Sequence, residues 1–198
     1  MPPAARRTRE IASTRDDILA AAERAFARTG YEATTMQDLA REAGYTVPSL
    51  YAYFDGKQEL YDAVWSRLDD ERAQVFDTIM PSGLRFSQRV EFMLARQLEL
   101  TERRRGAVEI RMASPQRHGK RRATHFDGMV QRWARWLRRV AEPGDLGATS
   151  LDDAATALVG VMNAFFLRWM ARDVATGLAV KAPLITELFL SGITGRRR

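Results

Sequence analysis

An all-α chain is the fold class the sequence predicts, on three observations. Apolar residues recur every three or four positions along most of the 198 residues. Little of the chain alternates as a half-buried strand would. Glycines and prolines fall where one helical pattern stops and another starts, as at Gly30, Gly44, Asp55-Gly56 and Pro81. The length suits one large helical domain, or a small module joined to a larger one.

The elements follow in order. Residues 15–28 place Ile18, Ala22, Ala25 and Phe26 on one stripe, opposite charges. Thr29-Gly30 ends that helix, Gly30 being suited to a left-handed C′ position. Thr35 caps a second helix with Asp38 three residues on, and Leu39, Ala40 and Ala43 form its buried side before Gly44. Thr46 caps a third helix over 47–53, where Pro48 falls in the first turn and Leu50 and Phe54 face inward. From Gln58 a longer helix turns Leu60, Val64 and Leu68 inward. Four more helices are expected at 84–102, 121–140, 151–176 and 183–193. The one at 151–176 is apolar all round, with Leu158, Met162, Phe165 and Trp169 on one side and Val159, Phe166 and Met170 on another. It is expected to be buried from two directions.

Composition excludes several classes. The chain has no cysteine, hence no disulfide, zinc–thiolate site, iron–sulfur cluster or cysteine nucleophile, which is compatible with a reducing cytoplasm. The Arg-rich N-terminus lacks the apolar run of a signal peptide. The apolar stretch 154–167, interrupted by Thr156 and Asn163, reads as too short to cross a bilayer, so no membrane is expected. His118 and His125 stand seven residues apart without a ligand cluster. No nucleophile motif or phosphate-binding glycine loop accompanies them, so neither an enzyme, a metal nor a cofactor is expected. The net charge is +6, but residues 1–57 carry 8 Lys/Arg against 8 Asp/Glu. Basicity alone therefore does not locate a polyanion site. The 8 basic residues between Arg103 and Arg122, against only Glu109, read as a solvated face.

Arrangement carries more than charge. Two short helices meeting at a glycine turn and packing on a third are the layout of a helix-turn-helix, whose second helix enters the major groove. With Leu50 and Phe54 inward, Thr46, Val47, Ser49, Tyr51, Ala52 and Tyr53 are left to face DNA. They offer hydroxyls for phosphates or base edges and small apolar groups for thymine methyls. Lys57, at the next helix start, reads as a phosphate anchor.

In these residues the chain resembles the TetR family of transcriptional repressors. The resemblance runs through Ile18-Leu19-Ala20-Ala21-Ala22, Phe26, Gly30-Tyr31, Thr34-Thr35, Leu39-Ala40, Ala43-Gly44, Leu50-Tyr51, Tyr53-Phe54, Lys57 and Leu60. It covers about a quarter of the chain. It implies phosphate contacts from Thr35, Tyr51, Tyr53 and Lys57, and base contacts near Gln37, Thr46, Val47, Pro48 and Ser49. Tyr45 departs from the small aliphatic usual after Gly44, and Val47 offers no hydrogen bond for base reading.

The organisation expected is a basic flexible arm (1–14, with Arg6, Arg7 and Arg9), a helix-turn-helix domain (15–58) and a ligand-binding and dimerisation domain (59–198). The function expected is a cytoplasmic homodimeric repressor, bound to a palindromic double-stranded operator and released by a small-molecule effector. The alternative is a DNA-binding regulator or architectural protein without an inducer. The resemblance implies an effector cavity, expected between the helices at 84–102, 121–140 and 151–176. Phe92, Met93, Met129, Trp133, Phe165 and Trp169 are its candidate lining, suited to an apolar or aromatic molecule.

Overall fold

The computed structural model describes residues 3–113, 119–171 and 177–193, with side chains for residues 7, 9–110, 125–171 and 177–193. Every regular element among them is helical. The chain divides into two compact units, Met1–Asp70 with Arg104–Pro115, and Glu71–Arg103 with Gln116–Arg198.

The first unit is built on α1 (Pro3–Thr29), which buries Ile18, Ala21, Ala22, Ala25 and Phe26. This helix begins at Pro3, not near Arg15, so residues 3–14 continue it where a flexible arm is expected. Gly30 ends it at φ 78°, donating its N–H to the Phe26 carbonyl at 2.9 Å. Next come α2 (Met36–Ala43), α3 (Val47–Tyr51) and α4 (Lys57–Val75). Thr35 caps α2 through a complete capping box: its Oγ1 accepts from the Asp38 N–H at 3.2 Å, and the Asp38 carboxylate accepts from the Thr35 N–H at 3.1 Å. Gly44 closes α2 at φ 73°, and the Tyr45 N–H returns to the Ala40 carbonyl at 2.9 Å. Phe26, Tyr31 and Tyr61 pack as one aromatic cluster, with ring centroids 4.8 to 5.8 Å apart.

A helix that the periodicity did not suggest, α6 (Arg105–Ala113), packs on α1. It buries Ala107, Val108 and Ile110. Beside it the Arg104 guanidinium donates to Glu23 at 2.8 Å, with both side chains less than a fifth exposed. This grouping places α6 with the N-terminal helices.

The second unit contains α5 (Phe86–Arg103), α7 (Gly119–Val140), α8 (Leu151–Ala171), a 3-10 turn (Ala179–Lys181) and α9 (Ala182–Ile193). Its core joins Val90, Met93, Leu94 and Leu98 of α5 to Trp133, Trp136 and Leu137 of α7. Ala155, Leu158, Val159 and Met162 of α8 and Ile185 and Phe189 of α9 complete it. Trp133 stands edge-on to both Phe76 and Trp136, at 5.1 and 5.5 Å. By length and composition alone α8 is long and apolar enough to cross a membrane, a test that a core helix also passes. The helix runs past both ends of the apolar stretch 154–167, and its apolar faces pack on α7 and α9. Phe165, Phe166 and Met170 pack half-buried against the core, while Leu167 is 41% exposed. Residues 172–176, expected to extend α8, lie outside the described residues, as do the Arg196-Arg197-Arg198 tail and His118.

Candidate nucleic-acid interface

The outer surface of α2 and α3 exists because a few residues fix what lies beneath it. Leu50 and Phe54, four apart, are 0% and 1% exposed, so the intervening and preceding positions face outward. Thr35, Gln37, Thr46, Pro48 and Tyr51 are exposed, and Val47, Ser49, Tyr53 and Lys57 are half-buried. None of the nine expected DNA-contacting residues is in the core. Tyr51 is the most conspicuous, a large ring left 52% exposed. Helix α3 stops at Tyr51, so Tyr53 belongs to the turn that follows and not to the helix.

The hydroxyls on this surface have partners within the protein. Thr46 caps α3 by accepting from the Ser49 N–H at 3.3 Å, and the two hydroxyls lie 2.8 Å apart. Thr35 Oγ1 donates to Asp38 at 2.6 Å. These bonds hold both helix starts in shape before any DNA arrives. The Thr35 hydroxyl and backbone N–H, with Arg41 beside them, hold the Asp38 carboxyl below its ordinary pKa. Glu42 sits low for a similar reason: it accepts from Arg24 at 2.9 Å and from Arg28 at 2.8 Å. These pairs tie the end of α2 to α1.

Two cations behave in ways that the periodicity did not reveal. Lys57 donates to three backbone carbonyls, and Arg15 donates to the Tyr53 carbonyl at 2.8 Å. A usable signal existed for Arg15, because it precedes Ile18 by three residues and so shares its inward face.

Residues 18–64 match the family described as "Bacterial regulatory proteins, tetR family". The matched segment is about a quarter of the chain, and over it the chain is TetR-like. Regulators of this family act on transcription and are not enzymes. The matched residues include the whole of α2 and α3 and their caps, so the TetR signature and the outward surface are the same part of the molecule. The chain is similar to the transcriptional regulator TtgR of Pseudomonas putida, 29% identical, over 83% of this chain and 84% of that one. It is also 33% identical to the uncharacterized regulator YhgD of Bacillus subtilis, over 47% of this chain. It spans about half of YhgD, 49% of its length. Among solved structures, SmeT, a repressor of a multidrug efflux pump in Stenotrophomonas maltophilia, shares the fold. Its TM-score is 0.71 at 24% identity, over 90% of this chain and 89% of that one.

The candidate effector residues are all in the second unit. Met93 and Trp133 are fully enclosed, Trp169 is buried, and Met129 and Phe165 pack against the same core. Phe92 is apart from that core, half-exposed with the Arg96 guanidinium 5.3 Å from its ring centroid. In the basic stretch from Arg103, Arg104 pairs with Glu23 and Arg105 with Glu109, as a structural face would. The side chains of 111–122 lie outside the description.

Proposed function

We propose that this TetR-like chain is a dimeric repressor that binds a palindromic duplex operator and is released by a small apolar or aromatic effector. The observation that carries the reading is the division of α3, with Leu50 and Phe54 sealed inward and Thr46, Val47, Pro48, Ser49 and Tyr51 turned out. Tyr51, Tyr53 and Thr35 supply phosphate contacts in this reading, and Gln37 with the first turn of α3 reaches base edges. Residues 15–58 serve as the reading domain, and 59–198 carry effector binding and dimerisation in the cytoplasm. The repressor role is in keeping with that of SmeT.

For the dimer, the support is a set of large apolar side chains left outward on α8 and α9. Leu167, Leu184 and Leu188 are between 41% and 48% exposed. Phe166 is half-buried against the core, so the outward position on α8 is Leu167.

The test is selection of bound duplexes from a random-sequence pool, followed by titration of the winning sequence. Wild type should enrich an inverted repeat that Tyr51→Ala binds poorly. Hydrophobic compounds that change tryptophan fluorescence should also weaken operator binding, and the operator should weaken theirs by the same factor. A regulator without inducer is the second reading, favoured by the complete enclosure of Met93 and Trp133. Failure of every compound to shift operator affinity would select it.

A further inference from the structure

The loop between α1 and α2 delivers three carbonyl oxygens to one ammonium. Lys57 Nζ lies 2.9 Å from the Tyr31 oxygen, 3.2 Å from that of Glu32 and 2.9 Å from that of Thr34. It also stands 4.4 Å from the Tyr31 ring centroid. An ammonium has three N–H donors, and here each has a main-chain acceptor. A phosphate would have to displace one of them. The loop is bound from its other side as well, since the buried Thr34 hydroxyl donates to the Gly30 carbonyl at 2.6 Å. The next residue is Thr35, the cap of α2.

A second cation acts at the far end of the helix pair. Arg15 Nη1 donates to the Tyr53 carbonyl at 2.8 Å, and the guanidinium lies 4.1 Å above the Phe54 ring. Its other terminal nitrogen is 3.8 Å from Glu59, whose second oxygen accepts from the Asp55 N–H. Tyr53 and Asp55 flank the turn after α3, where carbonyls lack intrahelical donors. The cation from α1 supplies one.

We infer that Lys57 and Arg15 are positioning residues: their charges bind main-chain carbonyls at the two ends of the α2–α3 pair and hold its outer face in register for DNA, without contacting phosphate. This rests on the reading of α3 as the groove-entering helix. Its consequence is specific. A phosphate anchor contributes to all duplexes and to the salt slope, whereas a clamp contributes to the fit of one sequence.

The experiment uses the full chain, a duplex selected by wild type from a random pool, and an unrelated duplex of equal length. Fluorescence anisotropy across a salt titration compares wild type with Lys57→Met, Lys57→Arg and Arg15→Lys. Circular-dichroism melts establish that each is folded at the assay temperature. The expected result is about a tenfold loss on the selected duplex for all three, with the unrelated duplex and the salt slope unchanged. Lys57→Arg decides alone if Lys57→Met does not fold. It keeps the charge, but its planar fork cannot serve three convergent carbonyls. Wild-type affinity in Lys57→Arg, with a slope lowered by about 0.9 per lost phosphate contact in Lys57→Met, would make Lys57 a phosphate anchor. Equal loss on both duplexes at an unchanged slope would make both residues merely structural. If wild type selects no duplex, the DNA reading itself fails, and the clamp with it.

Discussion

In the first unit the buried residues and the residues left for a partner are different ones, and in the second all the candidates but Phe92 belong to the core or pack against it. Leu50 and Phe54 are sealed while Tyr51, between them, is half in solvent. In the second unit Met93, Trp133 and Trp169, candidates for an effector, are also core, with Met129 and Phe165 packed against them. A DNA-reading surface has to meet a rigid, invariant polyanion, so it is presented ready-made on short, capped helices. An effector site among packed helices shares its side chains with the packing, so any ligand must compete with the protein's own contacts. Mutation should therefore separate stability from function in the first unit and confound them in the second.

The largest expected effect tests that claim directly. Trp133→Ala removes a fully enclosed ring that contacts Phe76 and Trp136 and should cost about 3–5 kcal/mol of stability, read from denaturant unfolding. A loss below about 1 kcal/mol, within the range of an ordinary surface change, would mean that the ring lines open space and that the two regions are alike. Next comes Leu188→Glu, at a side chain 48% exposed on α9. If this face joins two copies, dissociation should rise roughly hundredfold, about 2.7 kcal/mol, with the protomer still folded. Analytical ultracentrifugation showing equal dimerisation in both proteins would place the interface elsewhere.

What was legible follows the same division. The caps Thr35 and Thr46, the left-handed Gly30 and Gly44, and the inward pair Leu50 and Phe54 are local signals, each set by a few neighbouring residues, and all are where the sequence places them. Helix α6 was hidden because arginines dominate its surroundings. Its buried stripe is only Ala107, Val108 and Ile110, and Gly106 admits the Ala27 side chain at about van der Waals distance, 3.5 Å from where its own Cβ would stand. Residues 3–14 carry no apolar stripe, so nothing in their periodicity announced that α1 begins at Pro3. The Lys57 clamp was illegible for a different reason. Its acceptors lie 23 to 26 residues away, and main-chain carbonyls have no letter in a sequence.

A smaller effect sharpens the contrast from the other side. Tyr51→Ala should lower affinity for the selected duplex about tenfold, ~1.4 kcal/mol. It should change unfolding free energy by less than about 0.5 kcal/mol, because the residue is half in solvent and outside the core. An equal loss in stability and binding would show that Tyr51 supports the fold, and the clean division of α3 would be lost.

The smallest effect concerns pH and separates two ways of holding α2. Asp38 and Glu42 both have carboxyl pKa values lowered on folding, from ordinary values of 3.8 and 4.5. The Thr35 hydroxyl and N–H are the main cause for Asp38, and Arg24 and Arg28 for Glu42. A carboxyl lowered in the folded state favours folding in its charged form. Its contribution is complete above the unfolded pKa and fades as pH falls through the folded one. At neutral pH, Asp38→Asn and Glu42→Gln should therefore each open α2 more readily than wild type, seen as faster amide exchange at Leu39 and Ala40. The difference should shrink as pH falls below 4.5 for Glu42, and at lower pH for Asp38, whose ordinary value is already 3.8. Added salt should weaken the Glu42 effect, which rests on exposed arginines, more than the Asp38 effect, which rests first on hydrogen bonds within the capping box. An exchange difference undiminished at about pH 3 would count against both carboxylates as the source. Equal salt sensitivity would mean that Arg41, 3.3 Å from Asp38, and not Thr35, sets the strength of that cap.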